Sequence, residues 1–315
     1  MHSLAERIQK QDQRALARAI SMVENDHPEK LELLSDIASI KKKAYYVGIT
    51  GSPGAGKSSL VDRLVTHLRE QNLTVAVIAV DPTSPFSGGA LLGDRVRMHK
   101  HFTDPGVFIR SMATRGSLGG LARSTKDAIR VCDAYGFDCV LVETVGVGQS
   151  ELDIMKVVDS TAVVLTPNSG DVLQIFKAGI MEIADLFIIN KADLSGVQKL
   201  RGQLKDFLHI IDPQGWKAPI VETISTENKG IEKLWKKCTE HRDYLFDTEE
   251  GQKKRQEQLV FEVYELMREE LWKDVQDFIE SDDTKTQALS EMADPYKLAS
   301  KWLSEWKNVG VKKDD

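Results

Sequence analysis

The sequence predicts an α/β fold with a mostly parallel sheet flanked by helices, extended by helical segments at both ends. From residue 44 onward, short apolar runs rich in β-branched residues alternate with helical patterns. Most runs are apolar throughout, as in strands that helices cover on both faces. Both ends of the chain show helical periodicity alone. We therefore predict an N-terminal helical extension (1–43), an α/β domain (44–250) and a C-terminal helical arm (251–315).

Both ends of the chain are predicted to be helical because apolar residues recur there with a period near 3.6. A first N-terminal helix is predicted from Leu4 to Val23 and stops before Pro28, and a second carries Leu31 to Ile40. In the C-terminal arm, one stripe begins at Leu259, and a last helix follows Pro295. We expect these helices to be appendages of the α/β domain or an assembly device.

Seven apolar runs predict the strands, and five helical patterns lie between them. In an open parallel sheet, ligands bind at the carboxyl ends of the strands, so the residues that follow each run are the first candidates for a site. The predicted strands are 45–50, 75–80, 107–110, 139–143, 162–166, 186–190 and 219–224, and the predicted helices are about 57–71, 118–135, 171–184, 195–210 and 229–245.

Composition excludes several classes of protein. Lys and Arg number 42 against 48 Asp and Glu, and the net charge of -6 argues against broad electrostatic binding to nucleic acid or membrane. The apolar runs are far shorter than the ~20 residues of a membrane span. The N-terminus lacks a signal-peptide core, and the 3 cysteines lack metal-ligand spacing. We expect a cytoplasmic protein with no nucleic-acid or membrane partner.

The first strand is followed by a complete phosphate-binding motif, GxxxxGK[ST]. Its glycines let backbone N–H groups turn inward around a phosphate, Lys57 places a charge between the β- and γ-phosphates, and Ser58 offers a hydroxyl to Mg²⁺. A strand before the motif and a helix after it are the context that it needs, so we predict a P-loop NTPase. The predicted contacts are Gly51, Ser52, Pro53, Gly54, Ala55, Gly56, Lys57, Ser58 and Ser59.

An NKxD motif after the sixth strand predicts which base is bound. An ionised Asp193 can accept hydrogen bonds from the ring N–H and the amine of guanine, neither of which adenine offers. Lys191 can lie along the base, and Asn190 can pin the phosphate loop. After the last strand, Ser225 and Thr226 can contact the guanine oxygen through the backbone or cap a helix, and both interpretations stay open. The predicted ligand is GTP or GDP.

Acidic residues after two further strands predict the metal site. Asp81 ends the second run and Glu143 ends the fourth, while Asp94 lies beyond a loop rich in Pro and Gly. A carboxylate there can hold Mg²⁺ or orient the attacking water, and simple capping is the alternative. The Gly146 N–H can touch the γ-phosphate. We predict Mg²⁺ at Ser58, Asp81 and Glu143, and catalytic roles for Lys57, Asp81, Asp94 and Glu143.

Taken together, these motifs resemble the MeaB/ArgK (MMAA-like) family of P-loop GTPases. The resemblance covers most of the chain, and the strings around Asp81 and Glu143 are more specific than the P-loop, which many families share. The strings are ALARAI at 15–20, GSPGAGKS at 51–58, DPTSP at 81–85, GDR at 93–95, RG at 115–116, ETVGVGQS at 143–150 and NKAD at 190–193.

The resemblance implies a Mg²⁺-dependent GTPase that is a chaperone of adenosylcobalamin-dependent acyl-CoA mutases such as methylmalonyl-CoA mutase. It implies that the protein gates cofactor loading, protects or reactivates the mutase, and forms homodimers through its helical extensions. It assigns the Mg²⁺-linked acidic residues to Asp81, Asp94 and Glu143. A third switch loop that signals to the mutase falls at 166–177, with Asp171 and Lys177 as candidates; the residues alone indicate only a turn and a helix cap there.

Three alternatives to this function stay open. A GTP-binding kinase linked to amino-acid transport needs a phosphoacceptor pocket, and the sequence indicates none. A metallochaperone GTPase for another metal enzyme is expected to carry His or Cys clusters, whereas the 7 His and 3 Cys are scattered. A nucleotide-gated scaffold with negligible turnover differs from the GTPase chaperone only in its rate of GTP hydrolysis, because intrinsic hydrolysis can be very slow without a partner.

Overall fold

A computed structural model describes residues 2–40, 44–81, 98–113, 120–144, 157–167, 183–211, 215–290 and 294–311. The chain divides into two compact units, residues 1–251 and 252–315. The first unit holds the sheet and every described residue of the candidate site.

The first unit is built on a seven-stranded sheet in the order β3-β2-β4-β1-β5-β6-β7, with every neighbouring pair parallel. All seven predicted strands are present, and the predicted α/β class is confirmed. The chain order changes direction at β1, and such a switch point opens a crevice at the carboxyl ends of the strands. The strands are β1 Tyr45–Gly51, β2 Val75–Asp81, β3 Val107–Ala113, β4 Cys139–Thr144, β5 Ser160–Leu165, β6 Leu186–Asn190 and β7 Ile220–Thr223.

Seven described α-helices accompany the sheet in this unit. Two 3₁₀ turns, His99–His101 and Ser225–Glu227, lie in the connections. The predicted helix at 171–184 lies outside the described residues, except for its last two positions. The helices are α1 Ser3–Gln9, α2 Gln13–Glu24, α3 Lys30–Ala38, α4 Lys57–Glu70, α5 Gly120–Tyr135, α6 Val197–Ile211 and α7 Ile231–Asp247.

Both faces of the sheet are covered, which explains the continuous apolar runs. Successive side chains of a strand point to opposite faces, so Val77 and Leu141 pack with α4 and α7. Ile78 and Val142 pack on the other face with α1–α3 and α5. Helix α6 covers Val163 and the other inward residues at the β5–β6 end of the sheet.

The single helix predicted from Leu4 to Val23 is wrong, because the structure divides it into α1 and α2. Gln11 adopts the left-handed conformation, with φ 56°. Asp12 then caps α2 by accepting a hydrogen bond from the Arg14 N–H at 2.8 Å. A short break that keeps the apolar stripe on one side leaves no trace in the periodicity.

The N-terminal helices share their core with the sheet. Residues from α1, α2 and α3 pack with α5 and with one face of β2 and β4. An ion pair of 2.6 Å between Arg110 on β3 and Glu24 on α2 ties the same elements together. This N-terminal segment is therefore part of the α/β unit in packing terms.

The second unit is helical, as the periodicity predicted. Its described helices are α8 Glu249–Glu280, which begins in the first unit, α9 Asp283–Ser290 and α10 Pro295–Val311. Lys285 on α9 pairs with Asp282 at 2.6 Å, and its ammonium lies 4.1 Å from the centre of the Phe278 ring. Across the described ranges, no helix combines the length and the apolar character needed to cross a membrane.

Candidate nucleotide-binding site

The phosphate loop joins β1 to α4 at the centre of the sheet edge. Gly51, Gly54 and Gly56 all have positive φ, at 134°, 75° and 89°. A Cβ atom on Gly51 would lie 2.1 Å from the Val164 carbonyl oxygen, and one on Gly56 would lie 2.5 Å from the Asn190 side-chain nitrogen. Glycine is therefore required at both positions by backbone conformation and by space.

Lys57 opens α4 and folds back over this loop. Its Nζ donates hydrogen bonds to the carbonyl oxygens of Gly51 at 2.6 Å and Ser52 at 3.1 Å. Within the loop, Ser52 and Ala55 are buried, while Pro53 and Gly54 are exposed. The ammonium thus stands beside the N-terminal end of α4, where backbone N–H groups and the helix dipole favour a phosphate.

Ser58 and Glu143 meet beneath the first turn of α4. The Ser58 hydroxyl donates to Glu143 Oε1 at 2.7 Å, and the glutamate is fully buried at 0% exposure. Glu143 is the register partner of Ile49 on β1 and Ala79 on β2, so it stands between β2 and the strand that leads into the loop. Mg²⁺ prefers oxygen ligands and usually takes one or two from protein and the rest from phosphates and water. This pair of oxygen donors fits Mg²⁺.

The other residues predicted around the γ-phosphate are described in part or not at all. The Asp81 backbone ends β2 beside β4, at the same sheet edge as Glu143, but its side chain lies outside the described part of the chain. Asp94, Gly146 and the switch residues Asp171 and Lys177 also lie outside it. Their roles stay predictions.

Asn190, at the end of β6, joins the phosphate loop to the loops on the base side. Its Nδ2 donates to the Ala55 carbonyl at 2.9 Å. Its Oδ1 accepts from Thr223 Oγ1 at 3.0 Å, Ser225 Oγ at 2.9 Å and the Ser225 N–H at 3.4 Å. The side chain is 2% exposed. This amide therefore fixes the spacing between phosphate site and base site.

Lys191 and Asp193 form the exposed side of the base site. Lys191 adopts a left-handed conformation with φ 56°, and its Nζ donates to the Gly54 carbonyl at 2.9 Å. The Asp193 carboxylate is exposed. The pKa of Lys229 is raised, chiefly by its hydrogen bond to Glu227. The Ala192 N–H donates to the Thr223 carbonyl at 3.1 Å, which joins the NKxD segment to the end of β7.

The turn at Ser225 and Thr226 follows β7 directly. Helix α7 begins at Ile231 with Gly230 as its N-cap, so neither residue caps that helix. Ser225 is buried and tied to Asn190, while Thr226 is exposed within a 3₁₀ turn. The backbone contact to a base stays a prediction.

Arg63 is a residue that the sequence analysis missed. It lies on the second turn of α4, and its Nε donates to the Ser225 carbonyl oxygen at 3.0 Å. Ser59, one helical turn earlier, is exposed on the same side of α4. A lone arginine in an amphipathic helix carries no sequence signal that distinguishes it from a surface residue.

Comparison with known proteins agrees with this geometry. The family model described as methylmalonyl Co-A mutase-associated GTPase MeaB matches residues 16–280. A putative GTPase of Pyrococcus abyssi is 53% identical over 264 residues, which cover 82% of each chain. The GTPase ArgK of Escherichia coli is 37% identical over 270 residues, again 82% of each chain.

Among solved structures, a LAO/AO transport system kinase superposes with a TM-score of 0.71 at 27% identity over 96% of both chains. The family resemblance inferred from the motifs is thereby confirmed, together with the P-loop fold. The chain belongs to the MeaB family of methylmalonyl Co-A mutase-associated GTPases.

Proposed function

We propose that this protein binds GTP with Mg²⁺, hydrolyses it, and acts as a chaperone of an adenosylcobalamin-dependent acyl-CoA mutase, methylmalonyl-CoA mutase or a close relative. In this role it gates cofactor loading and protects or reactivates the mutase. One observation carries the nucleotide part. Asn190 and Lys191 of the NKxD motif bind the Ala55 and Gly54 carbonyls of the phosphate loop, so both motifs belong to one site.

At the phosphate end of this site, hydrogen bonds within the protein would be replaced by hydrogen bonds to a nucleotide. Lys57 now donates to two loop carbonyls, and phosphate oxygens are stronger acceptors for its ammonium. Ser58 and Glu143 would hold Mg²⁺, which, when bound, neutralises charge on the β- and γ-phosphates. Because Glu143 is buried between strands, its carboxylate can orient a ligand or a water without moving far.

The base end supports guanine as the ligand. Asp193 presents an exposed carboxylate directly after Ala192, whose N–H donates to the Thr223 carbonyl at 3.1 Å, so the NKxD segment and the segment that contains Thr226 are neighbours. Asp193→Asn should lower the affinity for GDP and raise that for XDP, because the 2-oxo group of xanthine accepts a hydrogen bond from the new amide. Isothermal titration with GDP, XDP and ADP measures this change. A variant that still prefers GDP to XDP by the wild-type factor would contradict the base assignment.

The partner is proposed from the family to which the chain belongs. The test is GTP turnover alone and with an excess of the acyl-CoA mutase from the same organism. We expect a slow basal rate that rises with the mutase and no response to the mutase with ATP. Lys57→Ala serves as the inactive control. A rate that no mutase changes would leave a GTPase and remove the partner.

The kinase alternative draws on the solved structure named a LAO/AO transport system kinase, at 27% identity. A kinase transfers the γ-phosphoryl group to an acceptor side chain, whereas a GTPase transfers it to water. Incubation with GTP labelled at the γ-phosphate separates the two, with and without an amino-acid-binding protein from the same organism. Label recovered entirely as inorganic phosphate supports hydrolysis, and label on either protein supports the kinase.

The metallochaperone alternative has little support in the described residues. Within them, no three His, Cys, Asp or Glu side chains are grouped so as to hold a metal ion. Cys132, Cys139 and Cys238 are free and buried. Burial raises the pKa of Cys238 to about 12, which disfavours the thiolate that a soft metal would bind.

We also propose a homodimer formed through the C-terminal arm. On α8, Leu259 is 58% exposed, Met267 55% and Trp272 62%. Apolar side chains that recur along one helix in this way are typical of an interaction surface. The truncation described in the Discussion tests this arrangement.

A further inference from the structure

We propose that Arg63 is a positioning residue for guanine recognition, because it holds the peptide unit whose N–H contacts the 6-oxo oxygen of the base. The inference rests on the proposed guanine site and adds a group that selects guanine over adenine. It is carried by the hydrogen bond of 3.0 Å between Arg63 Nε and the Ser225 carbonyl oxygen.

The geometry of a trans peptide connects this hydrogen bond to the base. The Ser225 carbonyl and the Thr226 N–H belong to the same planar peptide unit and point in opposite directions. The described chain contains no cis peptide bond. When Arg63 holds the carbonyl toward α4, the Thr226 N–H points away from α4, at an exposed position of the turn.

Two side chains hold the turn: Asn190 binds the hydroxyl and the N–H of Ser225, and Arg63 binds its carbonyl oxygen. Asn190 Oδ1 accepts from the hydroxyl and the N–H of Ser225. The Ser225 carbonyl accepts from Arg63 and, at 3.4 Å, from the Asn228 N–H. Asn190 therefore fixes where Ser225 lies, while Arg63 sets the plane of the peptide that follows it.

The charge of Arg63 adds to the effect of its geometry. A hydrogen bond from an ionised donor is stronger than a neutral one, and it polarises the peptide that accepts it. The N–H at the far end of that peptide becomes a better donor for an oxygen. Guanine presents an oxygen at position 6 and adenine presents an amine, so the same peptide attracts one base and repels the other.

Arg63 also joins the two ends of the nucleotide site through one rigid element. The first turn of α4 carries Lys57 and Ser58, and its second turn carries Arg63. A nucleotide bound at the N-terminus of α4 therefore meets a base-side turn that the same helix orients. Selection of the base is thus linked mechanically to the phosphate site.

The test compares wild type with Arg63→Ala and Arg63→Lys by isothermal titration with GDP, IDP and ADP. IDP keeps the 6-oxo group and lacks the 2-amino group that Asp193 would contact. We expect Arg63→Ala to lower the affinities for GDP and IDP by the same factor, about tenfold, because the freed peptide must then be ordered when the base binds. ADP affinity, measured up to millimolar concentrations, should not fall. The GDP and IDP affinities of Arg63→Lys, which keeps a charged donor, should lie between those of wild type and Arg63→Ala.

Arg69→Ala is the matched control, because this arginine lies on the same helix and binds Asp104 away from the site. It should leave all three affinities unchanged. Thermal unfolding of each variant reports whether it folds. If Arg63→Ala does not fold, Arg63→Lys takes its place in the comparison with wild type. Unchanged GDP affinity in Arg63→Ala, or equal losses for GDP and ADP, would overturn the inference. A wild type without preference for GDP over ADP would instead refute the proposed guanine site itself.

Discussion

Replacing Asn190 tests whether the buried amide network joins the phosphate loop to the base-side loops. The side chain makes four hydrogen bonds to three residues: one to Ala55, one to Thr223 and two to Ser225. Asn190→Ala removes all four and leaves their partners, on the buried residues Ala55, Thr223 and Ser225, without these bonds. Asn190→Asp keeps the acceptor oxygen and replaces only the amine that faces the Ala55 carbonyl.

The size of each effect follows from these contacts. A buried hydrogen bond contributes about 1 kcal/mol net, and partners left unsatisfied cost about 1–3 kcal/mol each. The Ser225 bond at 3.4 Å is long and contributes least. Some freed donors can turn toward each other, so we expect Asn190→Ala to lower the free energy of unfolding by about 3 kcal/mol. Asn190→Asp places two oxygens face to face at the phosphate loop, and we expect a smaller loss, about 2 kcal/mol.

The two variants should agree in nucleotide binding while they differ in stability. Both lose the bond to Ala55 that holds the phosphate loop, so GDP affinity should fall by about tenfold or more in each. Urea unfolding of the nucleotide-free protein measures stability, and isothermal titration measures GDP affinity. Thr223→Val is the control, because it removes one donor to Asn190 and leaves the Ala55 bond in place.

Two results would refute this reasoning. If Asn190→Ala kept the stability and the GDP affinity of wild type, the network would not hold the phosphate loop and the base-side loops together. A loss of stability in Asn190→Asp as large as in Asn190→Ala would contradict the expected order, in which the three bonds to the retained oxygen outweigh the repulsion at Ala55.

Four further predictions concern charge and assembly. Lys57→Ala should abolish tight GTP binding in equilibrium titration, and unchanged affinity would exclude the P-loop as the phosphate site. Glu143→Gln should leave GDP binding in EDTA intact but lower the Mg²⁺ enhancement of GTP affinity about tenfold, because a neutral amide is a weaker ligand; an unaltered Mg²⁺ dependence would contradict its role. The hydrogen bond from Arg69 lowers the pKa of Asp104 below 3.8, so its contribution to stability is present above that pH and is lost as the pH falls through the lower folded-state pKa. Urea titrations of wild type and Asp104→Asn should therefore differ at pH 6 and converge toward pH 2, and a difference that persists there would contradict the assignment. Deleting residues 252–315 should give a monomer in light scattering where the full chain is a dimer, and a dimeric truncated chain would place the interface elsewhere.

The sequence by itself determined the strands and the two motifs of the site. Continuous apolar runs predict strands buried on both faces, and all seven strands lie where those runs fall. The phosphate motif is local, because one short turn between β1 and α4 supplies the glycines, Lys57 and Ser58. The position of Asn190 at a strand end was equally predictable, since parallel strands bring their carboxyl ends to one edge of the sheet.

Only the tertiary structure decided which distant residues meet. Ser58 and Glu143 are 85 residues apart, and Arg63 and Ser225 are 162 apart. Their contacts depend on a strand order that places β4 and β5 on either side of β1, and on helices packed against particular faces. Likewise, the break at Gln11 and the packing of the N-terminal helices depend on contacts with α5 and the sheet. Local patterns specify periodicity and turns, whereas pairing between remote segments is chosen by the burial of complementary surfaces, which no single segment encodes.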